Sequence, residues 1–256
     1  MTTDVAAKRA AFRALHETGC FILPNPWDAD SARKLAARGF KALASTSAGF
    51  AWTLGREDGE VTRDELLAHL RDLNAATDLP VNADFEAGFA DDPETVAKNV
   101  TLAIETGVAG LSIEDRTGTA LYPFEYAVER IRAARGAIAD SGKDVILVGR
   151  TEGFLIGNTD LAATVKRLVE YAEAGADCLY APGVTDLAAI DEVVTEVAPL
   201  PVNVLLMGPQ MHLADLAAAG VRRVSTGGGL AHANRTGGFD AAVEALLREG
   251  TVPARS

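Results

Sequence analysis

The chain is poor in cysteine, in positive charge, in long apolar runs and in divisions of any kind, and each shortage removes a class of protein. Among 256 residues only Cys20 and Cys178 are cysteines, too few for a disulfide framework or a thiolate metal cage. Each opens an apolar, strand-like run, so both are expected to be small buried hydrophobes that do no chemistry. Basic residues number 24 against 36 acidic ones, a formal net charge of −12. That balance disfavours nucleic acid as a partner, because non-specific binding there depends on Lys and Arg neutralising phosphates. The longest apolar stretches, such as Val145-Ile146-Leu147-Val148, are strand-sized and far short of the roughly 20 residues of a membrane helix, so no membrane span is expected. The run Met1-Thr2-Thr3-Asp4-Val5-Ala6-Ala7-Lys8-Arg9 has no apolar segment ahead of a small-residue cleavage site. No secretory signal is read there, and a cytoplasmic location is expected. No linker, low-complexity tract or charge block divides the sequence, so residues 1–256 are read as one domain.

What is present is an ordinary globular composition, 48% hydrophobic and 23% charged, arranged as an alternation of short β-rich runs and longer amphipathic stretches. Strands are expected at Cys20 to Pro24, Ala42 to Thr46, Val81 to Phe85, Gly110 to Ile113, Val145 to Arg150, Cys178 to Ala181, Val202 to Leu206 and Arg222 to Ser225. Their continuous apolar character marks strands covered on both faces in a parallel sheet. Between them helices are expected, with Thr62-Arg63-Asp64-Glu65 spaced as a capping box and Pro93 following Asp92 as an N1 proline follows its cap. Gly39, Gly107, Gly175 and Gly220 each stand where a helix must stop in a left-handed residue before the next strand. Eight alternating helix and strand units, four of them joined through such a glycine, imply an α/β protein, a (β/α)8 TIM barrel with one extra N-terminal helix, Val5 to Glu17. An open doubly wound sheet is the alternative.

A barrel of this kind places its active site at the C-terminal ends of the strands, and those ends are acidic here. The third strand runs into Asp84-Phe85-Glu86, the fourth into Glu114-Asp115, and the loop after the second carries Asp58 within Gly55-Arg56-Glu57-Asp58-Gly59. Carboxylates converging on one mouth raise each other's pKa unless a cation stands between them. Oxygen ligands without His or Cys suit Mg2+ or Mn2+ better than zinc. The fifth strand ends Gly149-Arg150-Thr151-Glu152, and an arginine there can grip a substrate carboxylate or phosphonate with a two-point fork, or serve as a structural partner of the acids. Ser45-Thr46-Ser47-Ala48-Gly49 offers small residues and free amides, a nest for a second anionic group.

These residues, in this order, together with Asn25-Pro26-Trp27-Asp28-Ala29-Asp30-Ser31-Ala32, Pro80 to Phe89 and Gly107 to Asp115, resemble the isocitrate lyase/phosphoenolpyruvate mutase superfamily. The resemblance implies a Mg2+-dependent barrel enzyme, a lyase or decarboxylase that acts on a small 2-oxo or 2-hydroxy acid through an enolate of pyruvate type. Carried over position by position, it implies a metal site of Asp84, Glu86 and Glu114, with Asp84 nearest the ion and Glu86, Glu114 and the catalytic candidate Asp58 holding its waters. It implies substrate binding by Arg150, Thr46, Ser47 and Ala48, with Arg150 also steadying the enolate oxygen. The alternatives are P–C chemistry, as a phosphonomutase or phosphonopyruvate hydrolase, and a non-catalytic metal- or carboxylate-binding barrel. The loop Asp115-Arg116-Thr117-Gly118-Thr119-Ala120-Leu121-Tyr122-Pro123 lacks the Lys-Lys-Cys-Gly-His segment of the isocitrate-type lyases and the lysine and asparagine of the mutase. His232, after Gly227-Gly228-Gly229, is the candidate proton donor in their place, with Tyr122 and Arg116 behind it. The resemblance also implies a homo-oligomer, a dimer or tetramer.

Overall fold

The protein, described by a computed structural model over residues 4–253, is built around eight short parallel strands. The outermost three residues at each end lie outside the described residues, and with them the first part of the stretch read for a secretory leader. In chain order the barrel strands are Phe21–Leu23, Leu43–Ala44, Val81–Asp84, Gly110–Glu114, Ile146–Arg150, Cys178–Tyr180, Val202–Leu205 and Arg223–Ser225. They are hydrogen-bonded in the order first, eighth, seventh, sixth, fifth, fourth, third, second. The ring closes where the Ala44 amide donates to the Pro24 carbonyl at 3.1 Å, which joins the second strand to the first. The fold is therefore the (β/α)8 barrel with an extra N-terminal helix, and the open-sheet alternative falls on that closure.

The expected start and stop signals are used. Thr62 caps the helix Arg63–Ala76 in a reciprocal box with Glu65, and Asp92 caps Pro93–Glu105 through the Thr95 amide at 2.8 Å. Gly39, Gly107, Gly175 and Gly220 all take positive φ, between 85° and 102°, at the helix-to-strand turns.

Helix α1 (Val5–Leu15) does more than precede the first strand: it stoppers the N-terminal end of the barrel. Phe12 is fully buried and packs with Leu23, Ala42, Ala44, Ile146, Val148, Cys178 and Tyr180 in the barrel interior. Gly110 makes room for it, since a Cβ there would lie 2.8 Å from the Phe12 ring and 2.7 Å from Asn82 Oδ1. Lys8 donates to the carbonyls of Asn74 and Thr77, and Arg9 to those of Ile104 and Val108, so buried cations on α1 answer the carbonyls of neighbouring helix ends.

Four local elements depart from the expectations. Ser47–Thr53, expected as an open nest, is a helix capped by Thr46. The stretch after Gly227-Gly228, expected as a glycine-rich loop, becomes the helix Gly229–Arg235, because buried Leu230 and Ala231 give it a face to pack. Gly153–Ile156 is a 3-10 turn, and the loop after the fourth strand folds into a two-stranded hairpin, Arg116–Thr117 against Ala120–Leu121. Among the described residues no helix is long and apolar enough to cross a membrane. Cys178 is buried and Cys20 half-buried, and burial pushes both thiols up, that of Cys20 to about 11, as expected of cysteines that do no chemistry.

Candidate active site

The side chains at the C-terminal ends of the strands converge on Arg150. Its Nε donates to Glu152 Oε1 at 2.5 Å, its Nη1 to Asp84 Oδ1 at 3.0 Å, and its Nη2 stands 3.4 Å from Glu114 Oε2. Its guanidinium also lies over the Tyr180 ring, 5.2 Å from the centroid. Burial alone would lower its pKa, but Glu152, Glu114 and Asp84 outweigh that and raise it well above the ordinary value, so the guanidinium stays charged. The ion-pair role weighed for Arg150 is thus real in this structure, and the same guanidinium lines both cavities of the mouth.

The acids keep their positions through neighbouring loops. Asp84 accepts the Ser47 amide at 3.0 Å, and its own amide donates to Ser45 Oγ at 2.8 Å. Glu86 sits at φ 46°, a left-handed turn uncommon for a non-glycine residue. Arg130 holds that loop by donating to the carbonyls of Ala87, Ala90 and Asp91, and Asn99 donates to those of Gly88 and Phe89. Burial, then the charges of Asp84 and Asp58, pushes the Glu86 carboxyl up to about 8. Glu114 is also pushed up, by burial first. Burial likewise raises Asp58, whose side chain bonds the Ser47 hydroxyl.

Two spaces lie here, both lined by Ser47, Asp58, Arg150 and Leu155. The inner cavity, about 160 Å³, is lined by Thr46, Ser47, Ala48, Asp58, Asp84 and Arg150 near its top and by Asn82, Tyr180, Asn203 and Arg223 among others. The outer one, about 810 Å³, is lined by Asp58, Glu86, Glu114, Arg116, Arg150 and Glu152 and is roofed in part by the hairpin. Together they carry six carboxylates, at 58, 84, 86, 91, 114 and 152, against the three guanidiniums of Arg116, Arg150 and Arg223.

That excess of negative charge, made of hard oxygens alone, suits a hard divalent cation. Yet among the described residues no group of three His, Cys, Asp or Glu side chains stands close enough to hold one ion. Arg150 stands between Asp84 and Glu114, so these two acids share one guanidinium. The residues fit an ion with Asp84 as its protein ligand and Glu86, Glu114 and Asp58 acting through water, the habit of Mg2+, which gives up its waters reluctantly.

The remaining expectations sort by place. The Thr46 hydroxyl caps its helix by accepting the Gly49 amide at 3.2 Å, so it and the Ser47 amide already have protein partners. Ala48 lines the inner cavity. His232 lies within the helix Gly229–Arg235 and lines neither cavity, because the helix carries it away from the Gly227-Gly228 turn that does. Tyr122 has its hydroxyl engaged, donating to Asp91 at 2.5 Å beneath the stacked Arg130. Arg116 does face the outer cavity.

Several cavity residues escaped the reading of strand ends. Asn82, Ser112, Tyr180, Asn203, Arg223 and Ser225 line the inner cavity from inside the strands, and Glu152 holds Arg150. Their signal was a polar residue breaking an apolar strand two places before a rim residue, as in Asn82 and Asp84 or Ser112 and Glu114. Buried Asp115 was noted only as a strand end. It accepts from the Glu152 amide, Thr151 Oγ1, Tyr171 Oη and Arg167 Nη1, so it seats the loop that follows Arg150.

A closed parallel barrel with an acidic mouth gathered on one strand-end arginine defines an enzyme-like site of known type. Residues 12–247 match the family described as phosphoenolpyruvate phosphomutase, and the chain belongs to that family, within the isocitrate lyase/phosphoenolpyruvate mutase superfamily. It is 49% identical to a Burkholderia cenocepacia J2315 protein given the general label lyase/mutase, over 97% of this chain and 92% of that one, with a TM-score of 0.89. An oxaloacetate decarboxylase of Pseudomonas paraeruginosa is 32% identical over 86% of this chain and 78% of its own length. A 2,3-dimethylmalate lyase structure is 27% identical over all of this chain (100%) and 91% of that one, with a TM-score of 0.82.

Proposed function

We propose that the protein is a Mg2+-dependent lyase or decarboxylase that breaks a C–C bond in a small 2-oxo or 2-hydroxy acid through a pyruvate-type enolate. The observation that carries this reading is the Arg150 guanidinium, held by Asp84, Glu114 and Glu152 on the wall of a cavity of about 160 Å³. The inner space by itself lies below the roughly 300 Å³ at which ordinary small-molecule sites begin, which suits a compact acid in that part of the mouth. The likeness to an oxaloacetate decarboxylase and to a dimethylmalate lyase supports C–C chemistry on such acids.

Arg150 donates to the substrate oxygen on which negative charge grows as the bond breaks. Its carboxylate partners fix it in place beforehand, so little reorganisation accompanies the reaction. Because the full charge exists only along the reaction path, this contact favours the transition state over the bound substrate. Mg2+, when bound beside Asp84, would supply a second positive charge for that oxygen. Glu86 and Glu114 would hold its waters. Ser47 and Ala48 border the substrate's own carboxylate, and Asp58, its carboxyl raised by burial, lines both cavities. The hairpin that replaces the lysine- and cysteine-bearing lid segment speaks against isocitrate-type cleavage. We further propose that the working form is a homo-oligomer in the cytoplasm.

One observation favours a second reading, P–C chemistry on a phosphonate: the matched family is described as a phosphomutase. A screen of purified protein with Mg2+ against oxaloacetate, substituted malates and phosphonopyruvate separates the two. Pyruvate-type products from the carboxylic acids support the lyase reading. Turnover of phosphonopyruvate alone replaces it with the second, and turnover of none leaves a binding barrel.

A further inference from the structure

The foot of the inner cavity holds a cation that no carboxylate answers. Arg223, at the start of the eighth barrel strand, is 3% exposed. Its Nε donates to Asn203 Oδ1 at 2.8 Å, and its Nη1 reaches Asn82 Oδ1 and His16 Nε2, each at 3.4 Å. Among the described residues it has no acidic partner, and its Nη2 has no acceptor. His16 does not balance the charge. Its Nδ1 lies 2.8 Å from the Phe12 carbonyl, which can only accept, so the proton sits there and Nε2 is a neutral acceptor facing Arg223. A buried guanidinium without a counter-charge is costly, and buried charges are ordinarily paired.

Strand register shows where this cation leads. Arg150 pairs with Tyr180, Tyr180 with Asn203, and Asn203 with Arg223, so these four form one row across the fifth to eighth strands. All four line the inner cavity. Strands about 4.8 Å apart put the two arginine backbones roughly 14 Å apart around the wall, with both side chains reaching inward. The two ends of the row differ in charge. Arg150 is already matched by three carboxylates, whereas Arg223 bonds amide and imidazole groups, with the Cys178 thiol and the Tyr180 phenol near it. Between them Tyr180 and Asn203 offer further polar groups.

We propose that the foot of this cavity is a second anion subsite, at which Arg223, with Asn203 and Tyr180 beside it, takes the far carboxylate of a substrate that carries two. The natural ligand's being a substrate rests on the lyase reading, but occupation of the subsite needs no turnover. Calorimetric titration of the whole protein, in the presence of Mg2+, with unreactive acid pairs of equal chain length tests it. Succinate is expected to bind at least about tenfold more tightly than butyrate, the scale of one charge-assisted bidentate contact. Arg223→Gln should remove that preference, leaving succinate no tighter than butyrate in the same variant. A preference for succinate that survives Arg223→Gln, or no preference in the wild type, overturns the proposal. If Arg223→Gln fails to fold, wild-type crystals grown in bromide decide. An anomalous peak beside Arg223 Nη2 that succinate displaces supports the subsite. No peak there, or a peak that succinate leaves in place and that marks an inorganic-ion site only, overturns it. Absence of turnover on every acid screened would remove the lyase reading and leave these titrations to stand by themselves.

Discussion

Arg150 is held by three carboxylates through three different nitrogens, so the planar fork matters as much as the charge. Lysine would keep the charge, lose two of the three contacts and leave buried acids without a donor. Arg150→Lys is therefore expected to lower turnover by about 10²–10³-fold, the usual cost of one lost oxyanion donor. The loss should appear in kcat as well as in kcat/KM, and thermal melting should show the barrel still folded. Near-normal turnover in Arg150→Lys would make the residue a structural ion-pair partner only. Asp84 carries a second expectation at this scale. Asp84→Ala should abolish Mg2+ binding by calorimetry with little loss of stability, since rim residues of a barrel serve function more than fold. Retained affinity would move the ion elsewhere in the mouth. Much of this site was legible because strand-end acids and an arginine stand out against apolar strands. What was not legible depended on distance in the chain: Arg150 between Asp84 and Glu114, 66 and 36 residues away, is a tertiary fact. So is the withdrawal of His232 from the mouth, which follows from Leu230 and Ala231 burying one face of a helix that three consecutive glycines disguise as a loop.

Among the elements, the loop from Asp84 to Asp92 shows how position is maintained. Its left-handed Glu86 and Phe89 are unfavourable by themselves and persist because Arg130 and Asn99 bind the loop's carbonyls from behind. Arg130→Met would leave three part-buried carbonyls without this donor, at up to about 1–3 kcal/mol each. A large fall in stability is expected, with faster hydrogen exchange at residues 85–92 than elsewhere. Unchanged exchange there would show that the loop holds itself. Two buried histidines, His16 at the end of α1 and His69 in Arg63–Ala76, give a pH dependence. Burial, then the charge of Arg223, lowers His16 from 6.5 to about 3, and burial lowers His69 to about 4. Both are held neutral when folded, so the unfolded chain binds more protons between these values and 6.5. Their contribution is complete above about pH 6.5 and is lost as pH falls toward 3. Stability should decline through that window, and less steeply in His16→Asn; an identical slope in the variant would remove His16 as a cause. The barrel itself was legible because glycine stops and capping boxes repeat with the period of a βα unit. The helix Ser47–Thr53 was not, since Thr46-Ser47-Ala48-Gly49 reads equally as loop or cap until Gly49 is seen close against Trp27 and Ala231.

At the scale of the whole molecule, the last helix, Phe239–Arg248, folds back on its own barrel. Phe239 meets Trp27 edge to face at 5.5 Å, Arg38 pairs with Asp240, and the Leu213 amide donates to the Gly250 carbonyl. Any assembly built on this chain can thus start from protomers with a complete barrel and a docked terminus. A dimer or tetramer is expected by light scattering at micromolar concentration, and a monomer there would contradict it. The central proposal is that an acidic, arginine-centred mouth cleaves its substrate only with a divalent cation in place. Its most direct test follows product formation, on the acid that the screen identifies, as the purified protein is stripped with a chelator and then titrated with Mg2+. Release of a pyruvate-type acid that vanishes on chelation and returns in proportion to Mg2+ is the predicted result. The same product formed at an unchanged rate in the chelated protein would contradict it.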